Sequence, residues 1–286
     1  MCSFMYWIRE ITVEAGGKLY ESIGDNALDI EFDIPFSDKN EPDVSKITIY
    51  NLSDESIAAI KKEGTATVSA GYREMHNIAE ILSGEIEDMT TEWKDLDKVT
   101  TITISDGAKS WRKKELNKTY KNDTKAKTIM QDLISELGYT VGELNPKNDI
   151  NYPLGKTIKG SASKSLIQLA EDTESKMFIN KGRIVIRPEE KGKQTGIVLN
   201  ADSGLLDTPT MNKNMTGDKI DTPDREKDKK KNEEEIPSWT VKCLLNPQIE
   251  TDMIIKIESR SINGAFRVKS GKHSKDFTTE LEVVEA

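Results

Sequence analysis

The chain has 286 residues and a mass of 32.1 kDa, a length that allows two or three modest domains, each with a core of its own. Charged residues make up 32% of it, the mean hydropathy is −0.60 and the net charge is −9. A general nucleic-acid-binding protein needs a basic face to neutralise phosphates, so this acidity argues against that class. The composition predicts a well-solvated protein without stable nucleic-acid binding.

Cysteine usage and the N-terminal stretch narrow the field further. Only Cys2 and Cys243 are present, and they cannot build a disulfide framework or a thiolate metal site. The apolar stretch at the start is soon interrupted by Arg9 and Glu10, and no run of about 18 apolar residues follows. We therefore expect folding in a reducing cytoplasm, with neither a signal peptide nor membrane insertion.

The first part of the chain has the periodicity of β-strands. The stretch LDIEFDIPF alternates apolar side chains with Asp29, Glu31 and Asp33, which predicts a half-buried strand with a carboxylate-lined outer face. Further β-like runs follow, and one short helix, DESIAAIKK, lies between them. Residues 1–106 are therefore predicted to form a mostly β barrel with one small helix.

The next stretch changes to a helical period. In DTKAKTIMQDLISELGY the apolar residues recur at helical spacing, Asp123 or Thr124 can cap the start, and Gly138 can end the helix. A second helix, SKSLIQLAEDTESK, runs into two β-like segments separated by Lys181-Gly182, as in a hairpin. Residues 107–195 are predicted to form a small α+β module.

From residue 196 to residue 286 the chain returns to β-like runs, with an insert at about 212–236. The insert contains DREKDKKKNEEE, in which eleven of twelve residues are charged, five basic and six acidic. The charges almost cancel and no apolar residue can anchor the segment, so it is predicted to be an extended, flexible, solvated loop.

The β-like runs after this insert follow the same order as those of the first part. In both parts a strand leads into an Asn-containing turn, a connector, a second strand, a strand broken by glycine and a last strand. This order predicts a diverged duplication of one small barrel, although two unrelated meanders could produce it. The predicted fold class is α+β, mainly β, with two similar small β-barrel domains and an intervening α+β module.

Each motif for catalysis or metal binding that the sequence suggests lacks a required residue. The GKT at 155–157 resembles the end of a phosphate-binding loop, but the earlier glycine of that motif is replaced by Ile150. His76 and His273 have no partner at ligand spacing, and His273 is expected to be a hydrogen-bonding or surface residue. We therefore expect no catalytic, cofactor or metal site and no enzyme activity.

Three tryptophans border predicted strands. Trp93 and Trp111 flank the last strand of the first predicted barrel, and Trp239 begins the second. Packing in the core or at its rim is expected for them in preference to ligand stacking.

The ordered set KITIYNLSDESIAAI, VSAGY and ILSGEIEDM, followed by CLLNPQIETDMIIKIESRSINGAFRVKSGKHSKD, resembles the tail hub family of long-tailed bacteriophages. These are the late-control D-like baseplate hub proteins of phages, defective prophages and phage-tail-like bacteriocins, especially of Gram-positive hosts. SLIQLAEDTESKMFI and GRIVIRP in the middle follow the order of the family, whereas the charged insert is longer than expected. The resemblance implies a homotrimer with two barrels per chain, whose ring of six adapts a hexameric tail tube to a trimeric spike.

The same resemblance implies the partners and the location. The expected partners are the tail tube protein, the spike protein, the tape-measure protein and other baseplate proteins. The expected location is the baseplate of a virion or tail-like particle, assembled in the cytoplasm of the bacterial host. Two alternatives stay open, a tail-tip cell-wall hydrolase and another ring component of the baseplate, and the contractile or non-contractile nature of the tail is not decided.

The acidity of the chain fits a passage through such a hub. Tape-measure protein and, in a phage, DNA must move through it, and a basic wall would hold phosphates. We therefore expect acidic strand faces to line the channel, with Asp29, Glu31 and Asp33 as possible lining residues. The alternative is that these acids lie on the outer surface and serve solubility.

Overall fold

The computed structural model describes residues 8–60, 64–107, 109–189, 192–212 and 237–286. The charged stretch at 224–235, predicted to be a flexible loop, lies outside the described residues, and that prediction stays open. Within the part of the chain that is described, no helix has the length and apolar character needed to span a bilayer.

The described chain has three parts, which we call the first β unit, the middle module and the second β unit. The first β unit contains β1 (Arg9–Ala15), β2 (Lys18–Glu21), β3 (Ile30–Ser37), β4 (Val44–Tyr50), α1 (Asp54–Ala59), β5 (Thr65–Tyr72), β6 (Ala79–Lys94) and β7 (Asp97–Ser105). The middle module contains α2 (Ser110–Lys113), β8 (Glu115–Tyr120), β9 (Thr124–Lys125), α3 (Ala126–Glu136), β10 (Thr140–Leu144), β11 (Asn151–Tyr152), β12 (Lys156–Ser161), α4 (Ala162–Asp172), β13 (Ser175–Asn180) and β14 (Arg183–Pro188). The second β unit contains β15 (Lys193–Leu199), β16 (Thr210–Asn212), β17 (Ser238–Leu244), β18 (Met253–Glu258), β19 (Asn263–Ser274) and β20 (Thr278–Glu285).

The alternating pattern of the sequence is reproduced in β3. Ile30, Phe32 and Ile34 are at most 5% exposed and belong to the core of the first β unit, whereas Asp33 between them is exposed. Successive side chains of a strand point to opposite faces, so a period of two residues separates the core face from the solvent face. The predicted half-buried strand is confirmed.

The start of α3 differs from the prediction. Lys125 occupies the N-cap position without a side-chain hydrogen bond, and Asp149 instead accepts a bond from the second backbone N–H of the helix at 3.0 Å. The prediction that Asp123 or Thr124 caps this helix is wrong, because the chain there pairs as β9 with β11 before the helix begins. Gly138 ends the helix as predicted, with φ at +79°.

The strands of the two β units form one continuous sheet. Its described strands run in the order β16-β17-β20-β19-β3-β4-β7-β6-β5-β1-β2, and β18 pairs with both β19 and β15. The middle module has its own sheet, β10-β14-β13, with the strand pairs β11-β9 and β12-β8 beside it. The mainly β, α+β fold class is confirmed. The pairings between described strands follow an open path, so barrel closure and the predicted domain limits at residues 106 and 195 stay predictions.

The two β units share one strand order. In the first unit the antiparallel order is β4-β7-β6-β5, and in the second it is β17-β20-β19-β18. Both units also have a one-residue bulge at the same place, at Glu87 in β6 and at Lys269 in β19. The repeat of strand order predicted from the sequence is therefore present in the structure.

Matching positions of the two units are filled by buried side chains. Each of these side chains is at most 1% exposed: Ile86 and Val268, Ile102 and Leu281, Ile104 and Val283, Thr100 and Thr279. A core constrains volume and polarity more strongly than residue identity. Two copies of one unit can therefore diverge in sequence while they keep the same pairing.

The tryptophans have two different environments. Trp111 and Trp239 are buried in the cores of the middle module and the second β unit, as expected. Trp93 lies near the tip of the β6-β7 hairpin and is 69% exposed. The expectation of core or rim packing is wrong for Trp93, because the hairpin extends beyond the core of its own unit.

Candidate functional site

The two β units meet through a direct pairing of strands, which we call the unit junction. β3 lies antiparallel to the second half of β19, from Asp33 opposite Ser274 to Ser37 opposite Ser270. β19 thereby contacts β18 along its first half and both β20 and β3 along its second half. Backbone hydrogen bonds thus continue from one unit into the other.

An aromatic residue from the second unit completes the core of the first. Phe277, in the turn between β19 and β20, is 2% exposed and belongs to the core cluster of the first unit. Its ring meets Phe32 and Tyr72 edge to face, with centroids 5.8 and 5.6 Å away. The Tyr72 hydroxyl donates to the carbonyl of Phe277 at 3.3 Å. The unit junction is therefore held by core packing as well as by strand pairing.

His273 lies inside the unit junction. It is 2% exposed, its Nδ1 is 2.9 Å from Thr279 Oγ1, and its ring centroid is 4.8 Å from that of Phe36. Burial, with a smaller contribution from the charge of Lys181, lowers the pKa of His273 to about 3. His273 is therefore a neutral, hydrogen-bonded interior residue, not a surface one. Within the described ranges, no group of three or more His, Cys, Asp or Glu side chains is placed to hold a metal ion.

The predicted channel-lining acids lie together beside this junction, but lysines accompany them. Asp29, just before β3, is exposed, as is Asp33, and Glu31 is half-buried. Asp33 Oδ2 is 2.8 Å from Lys272 Nζ, and Glu31 Oε1 is 3.3 Å from Lys275 Nζ. This face of β3 and β19 therefore carries paired charges of both signs.

A buried carboxylate joins the middle module to the second β unit. Asp252, immediately before β18, is 1% exposed, and its Oδ2 accepts from Arg187 Nε of β14 at 2.8 Å and from Arg187 Nη2. Its Oδ1 is 3.5 Å from Arg267 Nη1 and 3.7 Å from Lys176 Nζ. One buried acid thus faces three cations from two parts of the chain, and a charge in such a place needs its partners.

The β13-β14 hairpin also contacts both β units. Lys181, in its turn, donates from Nζ to Glu250 Oε1 of the second unit at 2.6 Å and to the carbonyl of Glu80 in the first unit at 2.7 Å. Lys176, on β13, bonds to Asp38 of the first unit. The predicted hairpin is confirmed, and its lysines connect three parts of the chain. We call this set the module junction: Asp38, Lys176, Lys181, Arg187, Glu250, Asp252 and Arg267.

A pair of acids lies where the chain leaves the first β unit. The Asp43 N–H donates to Asp106 Oδ1 at 2.8 Å, and the Asp106 N–H donates to the Asp43 carbonyl at 3.2 Å. Burial, together with the nearby negative charge of Asp43, raises the pKa of Asp106 to about 8. Asp106 therefore carries a proton over much of the neutral range.

Because Asp106 is protonated in the folded state, the free energy of unfolding should fall as the pH rises. The folded pKa of Asp106 lies above the ordinary value of 3.8, so its contribution to stability is complete below pH 3.8 and is lost as the pH rises through about 8. The Asp106→Asn variant is expected to exceed the wild type in free energy of unfolding by several kcal/mol at pH 8, and by much less at pH 4. Urea unfolding at pH 4, 6 and 8 measures this, and a difference that does not change with pH would contradict it.

The fold of this chain was compared with those of known proteins. No protein-family model and no curated protein sequence matches the chain. Among solved structures, the 43 kDa tail protein of prophage MuSo2 from Shewanella oneidensis is 12% identical with a TM-score of 0.66, covering 97% of this chain and 98% of that one. The tail protein from Neisseria meningitidis MC58 is 11% identical with a TM-score of 0.62, covering 98% of this chain and 97% of that one. The chain has the fold of phage tail proteins.

A third similar structure comes from a secretion system. The E. coli c3393 protein, a type VI secretion component described as structurally similar to the T4 tail proteins gp27 and gp5, is 9% identical with a TM-score of 0.54. That match covers 91% of this chain and 74% of the other. At such identities the likeness is one of fold, and at that level the resemblance recognised in the sequence is confirmed.

No motif or periodicity in the sequence singles out the residues of the module junction. A weak signal was available, because Arg187 directly follows the apolar run IVI and Asp252 directly precedes the apolar run MII. Charged residues at the ends of buried strands often have buried partners. The sequence alone does not show that these two charges meet.

Proposed function

We propose that this chain is a structural component of a phage tail or tail-like particle, located in its baseplate. The proposal is supported by a tail-protein fold that extends over nearly the whole chain. It is supported further by a continuous sheet through both β units and by a buried charge network that ties the middle module to them. This construction suits a part that must keep its shape under load.

More specifically, we propose that three copies of the chain form a hub that adapts a hexameric tail tube to a trimeric spike. The observation that carries it is the repeat of one strand order, with the same bulge, in the two β units of a single chain. Three such chains around a threefold axis provide six similar β units toward the hexameric tube. They keep threefold symmetry toward the trimeric spike. The proposed neighbours are the tube protein, the spike, other baseplate proteins and, within the passage, the tape-measure protein.

We also propose that the face carrying Asp29, Glu31 and Asp33 borders the passage. The lysines beside these acids reduce the net charge of that face, so it would neither hold phosphates strongly nor repel them strongly. Such a wall lets a charged polymer move. Assembly in the bacterial host cytoplasm and the absence of stable DNA binding belong to the same proposal.

The proposed role is structural and not enzymatic. A tail-tip cell-wall hydrolase remains the alternative from a different class. Zymography of the purified chain on peptidoglycan separates the two, since a clearing zone would favour the hydrolase.

The proposed hub predicts the mass of the assembled species. Native mass spectrometry is expected to give about three times the 32.1 kDa of one chain, at high protein concentration or with the spike bound, because association depends on mass action. A single chain or six chains in the assembled particle would contradict the proposal.

A further inference from the structure

The unit junction has a counterpart at which the described strands leave one edge unpaired. β3 pairs with β4 in the first unit, and β16 pairs with β17 in the second. Asp33 lies opposite Lys46, and Thr210 lies opposite Thr240, where Lys46 and Thr240 are matching positions of β4 and β17. β16 is therefore the second-unit equivalent of β3, with Thr210 in the place of Asp33.

The strand that would receive β16 also has an equivalent. Inside the chain, β3 lies along residues 270–274 of β19, and the matching segment of β6 is residues 88–92. Within that segment, residues 90–92 pair with β7 on one side, and on their other side they pair with none of the described strands. The edge of β19 that accepts β3 thus has a matching edge in β6 that no described strand occupies.

Exposed side chains lie where their counterparts are buried. Met211 of β16 is 54% exposed, whereas its match in β3, Ile34, is 1% exposed under β19. Thr91 of β6 is exposed, whereas its match, His273, is buried. The local bonding is the same in both units, since Thr91 Oγ1 lies 3.1 Å from Thr100 Oγ1, as His273 lies against Thr279. Among the described strands, none lies beside Thr91 on the side where β3 lies beside His273.

The hairpin tips follow the same pattern. The β19-β20 turn places Phe277 in the core of the neighbouring unit, where it is 2% exposed. The matching β6-β7 tip carries Trp93 and Leu96, which are 69% and 91% exposed. Large apolar side chains exposed beside an open strand edge mark a surface for association.

We infer that β16 of one copy pairs with residues 90–92 of β6 in the next copy, in the register of the β3-β19 pairing. Thr210 then lies opposite Glu92 and Met211 opposite Thr91, while Trp93 and Leu96 contact the second unit of the neighbouring copy. The partner is a second copy of this chain, because the contact repeats one that the chain already makes between its own units. Such a contact joins two different surfaces and can close into a ring. This inference rests on the proposed ring and assigns the strands that join its copies.

Engineered cysteines test the register directly. Paired residues of antiparallel strands have Cα atoms about 4.5–5.5 Å apart, within the range of a disulfide. In a Cys2→Ser background, the Glu92→Cys/Thr210→Cys variant is expected to form two-chain and three-chain species on oxidation, seen on non-reducing denaturing gels. The matched control, Asp33→Cys/Ser274→Cys, should close within one chain and keep the single-chain mass. A second control, Glu92→Cys/Met211→Cys, places the thiols on opposite faces of the sheet and should not cross-link.

The outcomes separate this inference from the proposed function. A trimeric mass without a cross-link between positions 92 and 210 would overturn the strand assignment and leave the hub proposal standing. Equal cross-linking of the opposite-face control would overturn the assignment as well. If the wild type and the variant both stay monomeric at every concentration, with the spike present as well as absent, the strand assignment and the hub proposal are both overturned.

Discussion

The Asp252→Asn variant is expected to lose about 3–5 kcal/mol of stability, because it removes the buried carboxylate that Lys176, Arg187 and Arg267 share in the module junction. Asparagine keeps the shape of the side chain and tolerates the backbone φ of +62° at this position. The change therefore removes charge with little new backbone strain. Urea unfolding followed by tryptophan fluorescence measures the loss.

An exposed ion pair provides the matched control for this substitution. Asp33 and Lys272 are 2.8 Å apart with side chains 53% and 50% exposed, so solvent screens their interaction. The Asp33→Asn variant is expected to change stability by less than about 1 kcal/mol. Similar losses of stability for the two variants would show that the contribution of the module junction does not come from its burial.

The Phe277→Ala variant is expected to lose about 3–5 kcal/mol, because it empties a site in the core of the first β unit that the second unit fills. The substitution removes the edge-to-face packing against Phe32 and Tyr72, while the backbone carbonyl that accepts from the Tyr72 hydroxyl is retained. Thermal unfolding of the isolated chain measures the effect.

Trp93→Ala is the control for the second prediction. Trp93 is 69% exposed, so its removal should change the stability of the isolated chain by only about 0.5 kcal/mol. The same change should weaken association between copies, since Trp93 lies at the tip proposed to contact the neighbour. A large loss of stability in the isolated chain would contradict the assignment of this tip to an intermolecular surface.

Local patterns in the sequence were sufficient for the elements of the fold. The period of two residues in LDIEFDIPF predicted β3, Gly138 marked the end of α3, and Lys181-Gly182 marked a hairpin. The repeated order of strands was also readable, because turn residues and strand periods survive when core residues are exchanged. These features depend on neighbours within a few positions.

Contacts between distant segments were not readable in the same way. Asp149, which replaces the predicted cap of α3, lies 22 positions from its partner, and Arg187 lies 65 positions from Asp252. Lys275 reaches Glu31 across 244 positions, which is why the acidic face predicted from β3 alone proved to carry both signs of charge. Such pairs depend on how the three parts of the chain pack against one another. The periodicity of a single sequence does not reveal that packing.

Electron cryomicroscopy of the assembled ring tests the central claim most directly. The proposed hub should show six similar β units around one axis, supplied by three chains, with the sheet continuing from β16 of one copy into β6 of the next. In addition, Asp29, Glu31 and Asp33 should face the lumen. A ring of six chains, copies joined through other strands, or a lumen lined mainly by lysine and arginine would contradict the corresponding part of the account.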